Sequence, residues 1–398
     1  MLCVSSVIST QLQLQTWDVT LTTVPSRPPT VTAQIGHYPD LGPCLAQTAG
    51  IALPAWQGEG CARNTDMLAR RPEAARRTYH LSAELGSVQS MSGTAAGAAH
   101  HDDQRRFTAE DTLRTLSLAC EQVGLAWAGA RLVRVGENAI YRLPGQIVAR
   151  IARTSDYAAD AEKEVRVARW LEVQRFAAVR ALPLNQPVVV DGRVVTFWVS
   201  VSDIESYGST LEVAELLVRL HAMVVPPSLG LEPLRPFARA KRRIEMNGWL
   251  GSSDRAFLRQ RLRELREQYA GLEFVLPEGV IHGDANVGNV IHDQSGHPVL
   301  IDLDGFATGP REWDLALTAM YYDSFGWHTR EEYESFVKAY GYDVMQWPGY
   351  PVIRDVREFL MVTWLSQKAH DSERVAAEVH RRIVALRTGA DKHDWQPY

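Results

Sequence analysis

VIHGDANVGNVIHDQSGHPVLIDLDGF, running from Val280 to Phe306, sets three histidines, four aspartates and two asparagines among short apolar runs. Charged side chains leave water only when something compensates them, so apolar runs carrying this many acids point to a site rather than to plain core. Three chemistries use such a stretch: phosphoryl transfer from a nucleoside triphosphate, phosphate hydrolysis through a covalent aspartate, and metal-assisted handling of a sugar nucleotide.

The spacing separates them. Phosphoryl transfer asks a protein mainly to position metal ions and a nucleophile and to offset negative charge. It needs a carboxylate for the acceptor's proton, a nearby amide oxygen for a metal and a second carboxylate beside that metal. His282-Gly283-Asp284, followed after four residues by Asn289, has the H-x-D-x-x-x-x-N spacing of a kinase catalytic loop. The segment after Asn289 predicts a hairpin turning at Gln294-Ser295-Gly296, which returns the chain beside itself and lets Asn289 and Asp302 share one metal. Asp302-Leu303-Asp304 then falls where the metal-binding D-F-G of protein kinases falls.

Outward from this stretch the chain changes character twice. Residues 1–105 are rich in Thr, Ser, Gln, Pro, Ala and Gly, contain no lysine and show little periodicity. They are expected to be disordered or a spurious upstream extension, with a short helix over Asn64–Leu81 as one ordered element. The first residues carry no basic or clean apolar region of a signal peptide. Order is expected from Thr108, where T-A-E-D has capping-box spacing for a helix to about Gln122. Strands are predicted at "ARLVRVG", "AIYRL" and "QIVARIAR", a helix over Asp160–Val173, and a hairpin in "QPVVVDGRVVTFWVSV" closed by Asp191-Gly192. After Asp203 the pattern is helical: a second capping box at Ser209–Glu212, a charged helix over Ser253–Gln268, and helices over Trp313–Tyr322, Glu331–Tyr340, Val356–Lys368 and Ser372–Arg387.

The motifs "HGDANVGN", "LIDLDGF" and "GPREWDLA", in this order and at these spacings, resemble the aminoglycoside phosphotransferase family of kinase-like small-molecule enzymes. The resemblance covers about Thr108 to Arg387. It implies a two-lobed, protein-kinase-like α+β fold: a nucleotide-binding lobe of sheet and helix over 106–203, and a larger, mainly helical catalytic and acceptor-binding lobe over 204–398. It further implies that Asp284 is the general base, that Asn289 and Asp302 bind Mg²⁺, that Asp304 assists a metal or fixes the loop, and that Asp314 braces the catalytic loop with His282 bonded to its backbone. Gly136 and Asn138 would cover the phosphates of ATP or GTP. Arg150 would contact phosphate and pair with Glu164. The segment Trp198–Asp203, with Val199 and Val201, would read the base through its backbone. Antibiotic inactivation is the family's best-known use, but kinases of choline, sugars and homoserine belong to it too.

Two departures stand out. The strand lysine expected to grip phosphate is Arg150 here, and arginine is a wide planar fork rather than a point charge. Only five of the 42 basic residues are lysine, however, a bias of the whole chain. The phosphate-covering loop holds one glycine, Gly136, rather than three. As to the acceptor, Gly283 replaces the arginine that protein kinases use to read a phosphorylated loop. Only nine residues separate Asp304 from Asp314, which leaves little room to dock a protein. A small-molecule hydroxyl is expected, and Asp323, Asp355 and Glu358, among many aromatics, are candidates to meet a cationic sugar or amine.

Other readings use the same residues. "VLIDLDGF" also copies an aspartate-phosphatase signature, with Asp302 as nucleophile and Asp304 as acid/base, but only 94 mostly helical residues follow Asp304. A manganese-dependent glycosyltransferase lacks the Rossmann half that should precede its D-x-D. A catalytically dead binding protein of the same fold is favoured only by Arg150. His292 and His297 are expected exposed at the hairpin tip. A net charge of −5 disfavours nucleic acid, no apolar run reaches a membrane span, and four cysteines without a C-x-x-C pair fit a reducing cytoplasm.

Overall fold

Thr108 opens the first helix by the means its sequence offers. Its hydroxyl accepts from the Asp111 amide while the Asp111 carboxylate accepts from the Thr108 amide. Helix α1 runs Ala109–Val123 and stops at Gly124, which takes the left-handed conformation (φ 73°). These features come from a computed structural model in which residues 107–204 and 206–398 are described. The expectations for 1–105, including the Asn64–Leu81 helix, lie outside the described residues.

Strands β1 (Arg131–Val135), β2 (Asn138–Leu143) and β3 (Ile147–Ala152) follow, then helix α2 (Ala158–Val173), β4 (Val188–Val190) and β5 (Arg193–Val199). They form one antiparallel sheet in the order β1-β2-β3-β5-β4. Asp191 and Gly192, both at positive φ, make the tight turn between β4 and β5. Leu116, Ala119 and Cys120 of α1 bury one face of the sheet against Tyr141, Ala149, Ile151 and Phe197. Because side chains alternate along a strand, Arg150 lies on the opposite face, in register with Thr196 of β5.

Beyond Ser200 the chain is mainly helical: α3 (Thr210–His221), α4 (Ala240–Glu245), α5 (Ser252–Ala270), α6 (Glu312–Asp323), α7 (Arg330–Tyr340), α8 (Tyr350–Ser366) and α9 (Glu373–Thr388). Two small antiparallel ribbons interrupt it. Strand β6 (Gly279–Ile281) pairs with β9 (Ala307–Gly309), and β7 (Val290–His292) pairs with β8 (Pro298–Leu300). Helix α4 escaped the sequence reading because "AKRRIE" hides its two core residues, Ala240 and Ile244, among charges. Helix α8 begins six residues earlier than expected, since Pro351 sits in its first turn, where proline starts a helix rather than breaking one.

A small antiparallel sheet with two helices thus stands beside a larger helical part, the expected two-lobed α+β architecture. The change from strands to helices near residue 203 does not interrupt the packing. Val165, Ala168 and Leu171 of α2, with Trp198, share one core with Leu217, Val280, Val290, Leu303 and Phe306. This core seats α2 against the loop that follows β8. All three sheets among the described residues are antiparallel, so neither Rossmann-based reading finds its parallel sheet. No helix among the described residues is long and apolar enough to cross a membrane.

Candidate active site

The loop after β6 is held from behind by Asp314, in the first turn of α6. This carboxylate, fully buried, accepts from the backbone amides of His282 (2.7 Å) and Gly283 (2.8 Å) and from His221 Nε2 (3.1 Å). Burial alone would raise its pKa, but the His221 hydrogen bond leads the opposing causes and holds it below the usual carboxylate value. His282 is equally buried. Its Nδ1 accepts from the Asp284 amide and its Nε2 faces the Ile301 carbonyl at 3.0 Å. Both ring nitrogens are therefore engaged with the two loops, which suits a brace and not a proton donor.

Two glycines let those loops touch. Gly283 has φ +88°, and a Cβ there would meet the Gly305 carbonyl oxygen at 2.3 Å; a Cβ on Gly305 would meet the His282 carbonyl oxygen at 2.8 Å. Positive φ and backbone contact act together at Gly283. Gly283→Ala is expected to cost about 2 kcal/mol of stability or more, read as a lower urea midpoint. An unchanged midpoint would contradict the close approach.

On this frame the acids converge. Asn289 Nδ2 donates to the Asp284 carbonyl (2.9 Å) and to Asp284 Oδ2 (3.1 Å), and the Ile301 amide donates to the Asn289 carbonyl (2.9 Å). Asp302, itself left-handed (φ 59°), lies 3.9 Å from Arg150, which pairs on its other side with Glu164 of α2. Lys163, the neighbour of Glu164, donates to the carbonyls of Asp304 (2.5 Å) and Phe306 (3.2 Å). Arg357 of α8 stands 3.9 Å from Asp284 and stacks on Trp313. About half of the Asp284 and Asp302 side-chain surfaces stays open (51% and 47%), yet desolvation is the leading cause of a raised pKa in both. Charges at the bottom of a concavity behave this way. The Asp302 carboxyl is pushed up to about 6, by that desolvation first and then by Asp304, with Arg150 pulling it down.

Among the described residues no group of three or more His, Cys, Asp or Glu forms a complete metal cage. Two carboxylates and an amide are instead a hard-oxygen donor set, and Asp304 is one of the negative charges that raise the Asp302 pKa. That suits a Mg²⁺ ion that keeps waters and shares phosphate oxygens. Asn289, Asp302 and Asp304 are the residues that would hold it.

The expected nucleotide residues fall around the same cleft. Gly136 and Asn138 flank the β1–β2 turn, where the Gly136 amide donates to the Asn138 carbonyl and Arg153 to the Gly136 carbonyl. The residue between them, Glu137, accepts from Trp364 Nε1 of α8 at 2.5 Å, so this turn reaches across the cleft. In the segment expected to read the base, the Val199 and Ser200 amides already donate to Arg180 and Gln146. The Val199 amide is therefore engaged within the protein, which narrows the backbone-reading expectation to the Val199 carbonyl and Val201.

The three acids expected at the acceptor side are neutralised within the helical lobe. Asp323 pairs with Arg354, Asp355 with Arg261 and Arg354, and Glu358, almost wholly buried, with Lys392 at 3.0 Å. These contacts join residues up to 94 positions apart, so the sequence alone left their charges looking free. The hairpin histidines divide as well. His297 is exposed, but His292 bridges Ser206 and Glu212 at the start of α3. Sequence reading also missed His221, whose signal was a polar residue ending the apolar face of α3, and Lys163, Glu137, Trp364 and Arg357, which carried none.

Comparison with known proteins agrees with this architecture. A probable ketoamine kinase of Lactiplantibacillus plantarum is 38% identical over 91 residues, which is 23% of this chain and 30% of that protein. This chain thus matches less than a third of that relative's length. Two solved structures share the fold. An amicoumacin kinase in complex with AMP-PNP, Ca²⁺ and Ami has a TM-score of 0.54 at 16% identity, over 72% of this chain and 96% of that one. A microcompartment-associated aminopropanol kinase has a TM-score of 0.54 at 18% identity, over 69% and 95%. Residues 128–356, which include every acid of the cleft floor, match the sequence model of the phosphotransferase enzyme family, and the chain belongs to that family.

Proposed function

We propose that the protein transfers the γ-phosphoryl group of ATP or GTP to a hydroxyl of a small molecule, with Mg²⁺ bound at Asn289, Asp302 and Asp304. The observation that carries this reading is the cleft floor itself: Asp284 on a loop braced by Asp314, tied through Asn289 to the segment bearing Asp302 and Asp304, in a chain of the phosphotransferase family. Asp284 takes the proton of the acceptor hydroxyl as its oxygen bonds to the γ-phosphorus. The bond from that phosphorus to the bridging oxygen breaks, and its electron pair leaves with the nucleoside diphosphate. Bound Mg²⁺ supplies charge compensation for the phosphates. Arg150, kept in place by Glu164, faces the phosphates from the sheet side. Gly136, Asn138 and Val201 enclose the rest of the nucleotide.

Calorimetric titration of the protein with ATP and GTP, with and without Mg²⁺, tests this reading. Micromolar, Mg²⁺-dependent binding is expected, and Asp302→Ala should abolish the dependence on the ion. Equal Mg²⁺–nucleotide affinity in that variant would remove Asp302 from the metal site. Mg²⁺-dependent binding without turnover on any alcohol would favour a binding protein of kinase fold, the reading that Arg150 keeps open.

A further inference from the structure

The cleft wall beside Asp304 is basic. Helix α4 is bounded by Arg239 and carries Arg243 one turn on, at i, i+4 spacing, so the two share a face. Ala240 and Ile244, each one position further along, are buried in the helical core and fix the helix there. Arg239 donates to Asp160 of α2 at 3.0 Å and lies 3.9 Å from Asp304. Arg243 is half-buried and has Arg239, Glu137, Tyr157 and Asp304 as its charged or titratable neighbours, and its guanidinium forms no hydrogen bond or ion pair with any described residue.

Arg243 stands beside a second guanidinium and is partly withdrawn from water, and both disfavour its charge. An arginine's planar fork matches the oxygens of a carboxylate or a phosphate, so a visiting anion would relieve both costs. The carboxylates expected to greet a cation, Asp323, Asp355 and Glu358, are meanwhile occupied by Arg354, Arg261 and Lys392. We propose that the acceptor alcohol carries an anionic group, a carboxylate or a phosphate monoester, which Arg243, supported by Arg239, holds while the hydroxyl faces Asp284. This specificity rests on the phosphotransferase reading given above, and its transfer step is the one written there.

The test uses the protein saturated with AMP-PNP and Mg²⁺, titrated calorimetrically with matched pairs that differ in the anion: D-glycerate against glycerol, and ribose 5-phosphate against ribose. 2-Deoxystreptamine serves as the cationic control. At least one anionic member should bind tenfold or more tightly than its neutral partner. Arg243→Gln should remove that preference while AMP-PNP affinity stays within about twofold. Arg243→Lys, which keeps the charge but not the fork, should retain part of it, and it carries the test if the Gln variant fails to fold. Binding of the neutral or cationic compounds as well as the anionic ones, or binding of none of them, overturns the proposal. So does a loss of AMP-PNP affinity in Arg243→Gln, which would assign the arginine to the donor's phosphates. Failure of AMP-PNP to bind the wild-type protein would instead fall on the phosphotransferase reading and take the anion site with it.

Discussion

If Asp284 is the general base proposed above, Asp284→Asn is expected to lower turnover about 10²–10⁴-fold, the usual contribution of a positioned base, while the proposed Mg²⁺-dependent nucleotide affinity holds. The amide preserves the shape of the side chain and can still face Asn289, so the loop keeps its hydrogen-bond frame. What is lost is the ability to take a proton. Burial, with Arg357 pulling against it, holds the Asp284 pKa above the usual carboxylate value. Turnover and nucleotide affinity measured on one preparation separate the two effects. Full turnover in the variant would place the proton acceptor elsewhere.

Asp314→Ala is expected to destabilise the fold by about 3–5 kcal/mol, since three buried donors lose their acceptor at about 1–3 kcal/mol each. The deletion leaves the amides of His282 and Gly283, and the His221 ring, without their acceptor inside the protein. Urea denaturation reads the loss, and a change below about 1 kcal/mol would contradict the bracing role. The pH dependence has a definite sign. A carboxyl held below its ordinary value when folded contributes stability that is present above that value, near 3.8, and lost as the pH falls through the lower folded value. Wild type should therefore lose this contribution only in acid, and the variant should show a flatter stability profile there.

Local signals were legible in the sequence. Capping boxes at Thr108 and Ser209, the Asp191-Gly192 turn and the spacing from His282 to Asn289 each depend on residues close together in the chain, and each appears where its chemistry places it. Contacts across the fold were not legible. Lys163 meets Asp304 over 141 positions, and Glu137 meets Trp364 over 227. Nothing in either neighbourhood announces a partner so far away. The acidic residues of α6 and α8 show the cost of that blindness: their composition suggested a surface for cations, and packing had already supplied the cations from Arg261, Arg354 and Lys392. Helix α4 was illegible because its two core residues stand among charges, and Arg239 before it meets Asp160 and Asp304 only across the fold.

The contact between Gly283 and Gly305 gives the catalytic apparatus one invariant length. Backbone meets backbone there with no side chain between to yield, and both glycines belong to the helical half of the protein. The distance from Asp284, the proposed proton acceptor, to the acids at Asp302 and Asp304 is therefore set as if the two loops were one casting. Arg150 belongs to the sheet and reaches Asp302 only at 3.9 Å across the cleft. A displacement of β3 would change that second distance and leave the glycine contact in place. On the proposed function, the grip on the phosphates would depend on where the sheet sits, while the spacing from Asp284 to the two acids would not.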